Sequence, residues 1–146
     1  MEQAVSKPRR EIAVEGKILL VEDEEAILEL ERDVLTGAGA QVVALTSNQE
    51  VKDRLLQESF DALIMNGKMT GGWNIEEAYQ WLAEKCPGLE KRVLVTFSAD
   101  PTPELRNFMH EHNVPFLVKP FEVSEVITQT RRLLQKAQAA SAGHLA

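Results

Sequence analysis

The sequence predicts an α/β protein in which one layer of five parallel strands is covered by helices on both faces. Five short apolar runs of strand length follow one another along the chain, at residues 17–21, 41–45, 62–65, 92–97 and 115–118. The runs are apolar at nearly every position, which is typical of parallel strands that are buried on both faces. The segments between them have apolar residues at helical spacing, so we expect strand and helix to alternate five times.

The helical segments can be placed in order by their apolar positions. The first four segments and the last are predicted from Ile27, Leu28, Leu30, Val34 and Leu35; Val51, Leu55 and Leu56; Ile75, Ala78, Tyr79 and Leu82; Pro103 to His112; and Val123, Val126, Ile127, Thr130, Leu133 and Leu134. Thr102 and Pro103 are typical of a helix start. Right-handed crossovers between parallel strands then give a single doubly wound layer.

The length of 146 residues, with 44% hydrophobic side chains, allows one compact core. Residues 1–15 and 137–146 show no apolar period, and we expect flexible tails there. The domain is therefore predicted to span residues 16–136.

Charge and cysteine content exclude several classes of protein. The formal net charge of −7 argues against direct contact with nucleic acid, because such contact depends on clustered Lys and Arg. The one cysteine, Cys86, cannot form an intrachain disulfide and is expected to be an apolar residue at a helix end. No apolar run is long enough to span a bilayer and the start of the chain lacks the apolar core of a signal peptide, so we expect a cytoplasmic protein without membrane contact.

Polar side chains follow the strands at the edge where a doubly wound sheet carries its chemistry. Glu22 and Asp23 follow the first strand, Asn66 the third, Ser98 the fourth and Lys119 the fifth. Acidic residues after the first strand would repel a phosphate group, which excludes a nucleotide-binding loop. Adjacent carboxylates can instead hold Mg²⁺, whereas Glu24 and Glu25 are explained by favourable charge at a helix start.

This constellation resembles the receiver domain of two-component response regulators over about residues 17 to 136. The resemblance implies a flavodoxin-like (βα)5 fold with strand order 2-1-3-4-5. It assigns Mg²⁺ binding to Glu22, Asp23, Asn66 and the backbone carbonyl of Lys68. It also places the phosphoacceptor at Asn66, the switch hydroxyl at Ser98, the family's lysine at Lys119, the rotating aromatic at Phe116, and a cis peptide bond at Lys119–Pro120.

Asn66 departs from the aspartate of that family. A carboxamide cannot form the mixed anhydride of phosphoaspartate, and a neutral ligand should weaken Mg²⁺ binding. The residues therefore indicate a pseudo-receiver that is not an enzyme. The alternative is a phosphorylatable, Mg²⁺-dependent receiver whose natural residue 66 is Asp, with Asn66 engineered or open to deamidation because it precedes Gly67. The loop after it has Met69 and Thr70 where Met-Pro is usual.

The resemblance also implies a signalling face on the fourth helix, fifth strand and fifth helix. The candidate contact residues are Arg106, Phe108, Met109, Phe116 and Val126, although periodicity alone favours Phe108 and Val126 as core residues. The implied partners are a histidine kinase, a phosphotransfer protein or an output domain, and a homodimer through the same face. A hydrolase using His110 or His112 is a weaker hypothesis, since both are expected to face solvent near a helix end.

Overall fold

The sheet has the five strands and the order that the sequence and the resemblance predict. The computed structural model describes residues 14–67 and 73–145, with side chains as far as residue 136. Its strands are β1 (Lys17–Val21), β2 (Gln41–Leu45), β3 (Ala62–Asn66), β4 (Val93–Phe97) and β5 (Phe116–Val118). All four pairings are parallel and the order is β2-β1-β3-β4-β5, which confirms the predicted fold class.

Helices separate the strands at the predicted places. They are α1 (Glu25–Gly37), α2 (Val51–Gln57), α3 (Ile75–Lys85), α4 (Pro103–Glu111) and α5 (Val123–Leu145). At the start of α4 the Thr102 side chain accepts a hydrogen bond from the Leu105 N–H at 3.2 Å, so this predicted cap is confirmed. Among the described helices, none is both long and apolar enough to cross a membrane.

The core consists of two apolar layers, one on each face of the sheet. Strand residues alternate between them, so that Leu19, Leu63 and Val95 belong to one layer and Ile18, Ile64 and Leu94 to the other. Residues of α2, α3 and α4 complete the first layer, and residues of α1 and α5 complete the second. Burial on both faces explains why β3 and β4 are apolar at nearly every position.

Both predicted tails need correction where the structure describes them. Val14 is fully buried and its N–H donates to the Ala38 carbonyl at 2.8 Å, so the ordered domain begins before residue 16. Residues 1–13 lie outside the described part. At the other end α5 continues as helix to Leu145, past Ala137, where a flexible tail without an apolar pattern was expected. Alanine is the strongest helix former, so an alanine-rich segment stays helical without an apolar pattern.

Two leucines used to predict helices are not in the core. Leu30 on α1 is 50% exposed and Leu56 on α2 is 61% exposed. Leu30 precedes the buried Glu31 and Leu56 follows the buried Leu55, so each lies at the margin of the buried face of its helix, where periodicity does not decide burial.

Candidate functional site

The predicted site residues meet at one edge of the sheet because the strands are parallel and in register. Val21 pairs with Met65, Asn66 with Thr96 and Phe97 with Val118. Four strands thus end at the same level, and the residues that follow β1, β4 and β5 lie around the end of β3. This is the edge at which doubly wound sheets carry functional groups.

Asn66 is buried at the centre of this edge and binds both members of the acid pair. Its side chain is 3% exposed, and its Nδ2 donates to Glu22 Oε2 at 3.2 Å and to Asp23 Oδ1 at 3.3 Å. Two carboxylates accept hydrogen bonds but offer none, so the amide presents its NH₂ group to them. Asn66 is therefore a hydrogen-bond donor to both members of the acid pair.

Glu22 is a fully buried carboxylate whose oxygens are all engaged. Oε2 accepts the Asn66 amide and also the Glu24 N–H at 3.0 Å, while Oε1 accepts the ammonium of Lys119 at 3.2 Å. A buried charge is tolerated when it is paired and hydrogen-bonded in this way.

Lys119 connects the end of β5 to the acidic residues after β1. Its Nζ donates to Glu22 and, at 3.1 Å, to Glu24. Burial acts to lower the pKa of Lys119, but the hydrogen bonds and charges of Glu24 and Glu22 outweigh it, so the pKa is raised above its usual value. From the sequence, Glu24 was explained only by its favourable charge at a helix start. Its ion pair with Lys119 could not be predicted from the positions of the acidic residues alone.

Gly67 is required by a close approach between the end of β3 and the core. A Cβ atom at this position would lie 2.2 Å from the nearest ring carbon of Phe97, which is itself buried. The Gly67 N–H donates to the Thr96 carbonyl at 2.7 Å and so extends the β3–β4 ladder past Asn66. The glycine lets Asn66 reach the acid pair while the backbone stays against Phe97.

The other predicted site residues are only partly brought into contact. Ser98 follows β4 at the same edge and is exposed. The Lys119–Pro120 peptide bond is cis, as the resemblance implied. Lys68 and the residues up to 72 lie outside the part of the chain that the structure describes.

The arrangement of these side chains does not fit Mg²⁺. The cation needs oxygen ligands, yet the amide nitrogen of Asn66 and the ammonium of Lys119 face the carboxylates that would supply them. Within the described ranges no three His, Cys, Asp or Glu side chains come together as a metal site. A Mg²⁺ ion would require the Asn66 amide to turn its oxygen towards the pair.

The predicted signalling face is only partly a surface. Met109 and Val126 are 0% and 1% exposed, so their assignment as contact residues is wrong and the interpretation of Val126 as a core residue is supported. Phe116 is half-buried between the Phe97 ring, at 5.8 Å between centroids, and the Arg106 guanidinium, at 5.3 Å from the Phe116 centroid. Arg106 remains exposed.

Phe108 and His112 belong to an aromatic cluster that joins α4 to α3. Their rings stack at 4.2 Å between centroids, and Tyr79 packs edge-on against both, at 5.6 Å and 4.8 Å. His112 Nδ1 lies 2.9 Å from the Phe108 carbonyl oxygen. The expectation that His112 faces solvent is therefore wrong, whereas His110 is exposed. A ring packed in this way has a structural role.

One buried acidic residue was missed by the sequence analysis. Glu31 on α1 is 3% exposed, and burial, with a further contribution from the charge of Glu22, raises its pKa to about 7 while the charge of Lys119 acts in the opposite direction. Its spacing from Leu28 and Leu35, which are also buried, places it on the apolar side of the helix. That spacing was the available signal.

The fold and the polar edge together define a class of protein. A five-stranded parallel layer of order 2-1-3-4-5, whose polar edge carries an acid pair and a lysine, is the architecture of receiver-type signalling modules. Residues 18–131 match the response regulator receiver domain family, so this chain belongs to that family and is a receiver domain of a two-component system. Receiver domains are signalling modules and generally not enzymes.

Similar proteins agree with this assignment. The chain is 26% identical over 112 residues to the sensory/regulatory protein RpfC of Xanthomonas campestris pv. campestris. The aligned region covers 76% of this chain and 15% of RpfC. Among solved structures, a CheY-like receiver domain protein of Methanospirillum hungatei superposes with a TM-score of 0.74 at 18% identity, covering 85% of this chain and 97% of the other. The HemR receiver domain of Leptospira biflexa superposes with a TM-score of 0.70 at 22% sequence identity, covering 81% of this chain and 93% of the other.

Proposed function

We propose that this chain is a pseudo-receiver, which signals by binding other proteins and does not form phosphoaspartate. The observation that carries the proposal is the pair of hydrogen bonds from the Asn66 amide to Glu22 and Asp23. The amide and the Lys119 ammonium together satisfy the acid pair from within the protein. In an ordinary receiver these carboxylates would be expected to hold Mg²⁺ beside an aspartate.

The chemistry of residue 66 leads to the same proposal. Formation of an acyl phosphate requires a carboxylate oxygen to attack phosphorus, with cations to neutralise the charge that develops on the phosphoryl oxygens. The amide oxygen of Asn66 is a poor nucleophile, and the mixed anhydride cannot form from a carboxamide. With the carboxylates already paired, recruitment of a cation is also disfavoured.

The alternative is that aspartate is regenerated at this position by deamidation. That reaction requires the Gly67 backbone nitrogen to attack the side-chain carbon of Asn66. The Gly67 N–H is instead hydrogen-bonded to Thr96 at 2.7 Å, and the buried Asn66 amide is fixed by two carboxylates. Both contacts disfavour the cyclic intermediate, so they support the pseudo-receiver over a receiver that is reactivated in this way.

The surface that we propose for signalling is the groove between α4, β5 and α5. Its volume is about 610 Å³, and it contains exposed basic side chains of Arg106, Arg132 and Lys136 beside the half-buried Phe116. Histidine kinases, phosphotransfer proteins and output domains are the expected kinds of partner, and a homodimer through this groove is a second possibility. Similarity to RpfC, named a sensory/regulatory protein, favours a sensory pathway. The unpaired Cys86 thiol supports a cytoplasmic location.

Phosphoryl transfer from a small donor tests the proposal. The protein and its Asn66→Asp variant would be incubated with acetyl phosphate and Mg²⁺, and intact masses recorded. We expect the wild type to gain no phosphoryl group, which has a mass of about 80 Da, and Asn66→Ala to serve as the negative control. A gain of that mass by the wild type would refute the pseudo-receiver. A gain by Asn66→Asp alone would identify residue 66 as the single block.

The surface is tested by a matched pair of charge reversals. Arg132→Glu lies in the groove, and Arg32→Glu is an exposed position on α1 outside it. If the chain dimerises through the groove, sedimentation should show a weaker dimer for Arg132→Glu only. Equal effects of the two reversals on self-association or on binding of a kinase would argue against this surface.

A further inference from the structure

A second cavity lies between α1 and the β5–α5 connection, and Lys119 is one of the residues that line it. It has a volume of about 390 Å³. Ile27 and Leu30 line it from α1, and Pro120 and Phe121 line it from the connection. Apolar side chains with a few polar groups are typical of small-molecule pockets in proteins.

Two charged side chains interrupt this apolar lining, the carboxyl group of Glu31 and the ammonium group of Lys119. The Glu31 side chain lines the cavity, yet it is 3% exposed, and its Oε2 has no hydrogen-bond partner among the described residues. Lys119, the neighbouring cation, directs its hydrogen bonds to Glu22 and Glu24 instead. A buried carboxyl oxygen without a partner is costly, and such a group calls for an explanation.

We propose that this cavity binds a small organic cation, with an ammonium group that donates to Glu31 and an apolar body that packs on Ile27, Leu30 and Phe121. An ammonium group supplies up to three donors and a positive charge, which is the complement of an unpaired carboxylate. The proposal is independent of the pseudo-receiver proposal, since it uses neither Asn66 nor the acid pair.

The rim of the cavity favours a ligand with an apolar body. Leu30 is 50% exposed and is one of two large apolar side chains that are exposed within the described ranges. A bound ring would cover it and bury apolar surface that the protein alone leaves in water. The volume suits a body of roughly six to ten heavy atoms, near the lower end of the size range of ligand pockets.

Benzylammonium and benzyl alcohol form a matched pair of probes, alike in shape and different in charge. Each would be titrated into the full chain at about pH 8.5, where Glu31 is ionised, and binding followed by calorimetry and by the shift in Tm. We expect benzylammonium to bind at least roughly tenfold more tightly than the alcohol. Glu31→Gln should remove this preference, whereas Glu29→Gln, an exposed glutamate on the same helix, should keep it.

Leu30→Ser provides a second variant at an exposed position that tolerates substitution, and it should weaken both probes equally. The proposal is overturned if the two probes bind equally to the wild type, if Glu31→Gln keeps the preference, or if neither probe binds at about 10 mM.

Discussion

The amide nitrogen of Asn66 lies 3.2 Å from Glu22 Oε2 and 3.3 Å from Asp23 Oδ1, so one neutral side chain bridges two carboxylates. The bridge occupies the space between the acid pair and the end of β3. Since Lys119 binds the other oxygen of Glu22, the edge is held together by hydrogen bonds from three elements of the fold.

Replacing Asn66 with aspartate should destabilise the protein in metal-free buffer. The substitution removes two hydrogen bonds and places a third carboxylate beside Glu22 and Asp23, which we expect to lower the free energy of unfolding by about 1–3 kcal/mol. Mg²⁺ should restore much of this loss, because residue 66 then offers the cation a carboxylate oxygen in place of an amide nitrogen. Urea unfolding with and without Mg²⁺ measures both effects.

The wild type is the control for the metal, and its unfolding midpoint should change little when Mg²⁺ is added. An equal stabilisation of both proteins by Mg²⁺ would show that the Asn66 amide is not what keeps the ion out.

Glu31 should make the protein less stable as the pH rises from about 4.5 to 7. Its pKa is about 7 in the folded protein and 4.5 in the unfolded chain, so the unfolded chain loses its proton first and is favoured within this window. The stability present below pH 4.5 is lost as the pH rises through about 7, and the loss amounts to roughly 3 kcal/mol. Urea unfolding across this range measures it.

Glu31→Gln should flatten this dependence and be the more stable protein at about pH 8. Other groups also titrate, so the quantity to compare is the difference between wild type and variant at each pH. Glu29→Gln, which changes an exposed residue of the same helix, should follow the wild type. A constant difference between wild type and Glu31→Gln across the range would contradict the raised pKa.

Gly67→Ala should cost about 1–3 kcal/mol of unfolding free energy, because its methyl group would overlap the Phe97 ring at 2.2 Å. Gly37→Ala is the matched control, since its methyl group would meet nothing within 4 Å. Thermal unfolding of the two variants gives the comparison. Phe97→Leu should reduce the cost of Gly67→Ala when the two are combined, and strictly additive effects would show that the ring is not the obstacle.

Asn74→Ala should lower the unfolding free energy by about 1 kcal/mol, because Asn74 caps α3. Its side chain accepts the Glu77 N–H at 2.8 Å, and the Glu77 side chain accepts the Asn74 N–H at 3.3 Å. Asn74→Asp should keep the cap and lose little. Chemical denaturation of both variants measures these changes in unfolding free energy, and Gln80→Ala is the control at an exposed position in the same helix. A loss in Asn74→Ala no greater than in that control would count against the cap.

The strands could be predicted closely because parallel strands buried on both faces need apolar side chains at nearly every position. The third predicted run ended at Met65, whereas β3 includes Asn66, which pairs with Thr96. Backbone hydrogen bonds do not depend on side-chain polarity, so a strand predicted from its apolar residues alone can stop short of a polar residue at its end.

Helix faces were less predictable. On α1 the pattern placed Leu30 on the apolar face, yet Leu30 is exposed and the adjacent Glu31 is buried. Successive helical residues are about 100° apart, so neighbours at the margin of a face exchange places with a small rotation of the helix. The sequence likewise indicated which residues follow each strand, but the division of the Glu22 oxygens between Asn66 and Lys119 depends on side-chain conformations that spacing does not specify.

Helix α5 is long in proportion to the sheet on which it packs. Its 23 residues span about 35 Å, whereas a five-residue strand spans about 17 Å. The buried side chains Val126, Thr130, Leu133 and Leu134 anchor its first part. From Leu134 to Leu145 the helix extends about another 16 Å, so a tilt of about 10° at the anchor moves the far end by about 3 Å. A small change in the packing of the first part of α5 thus produces a larger displacement of its C-terminal end.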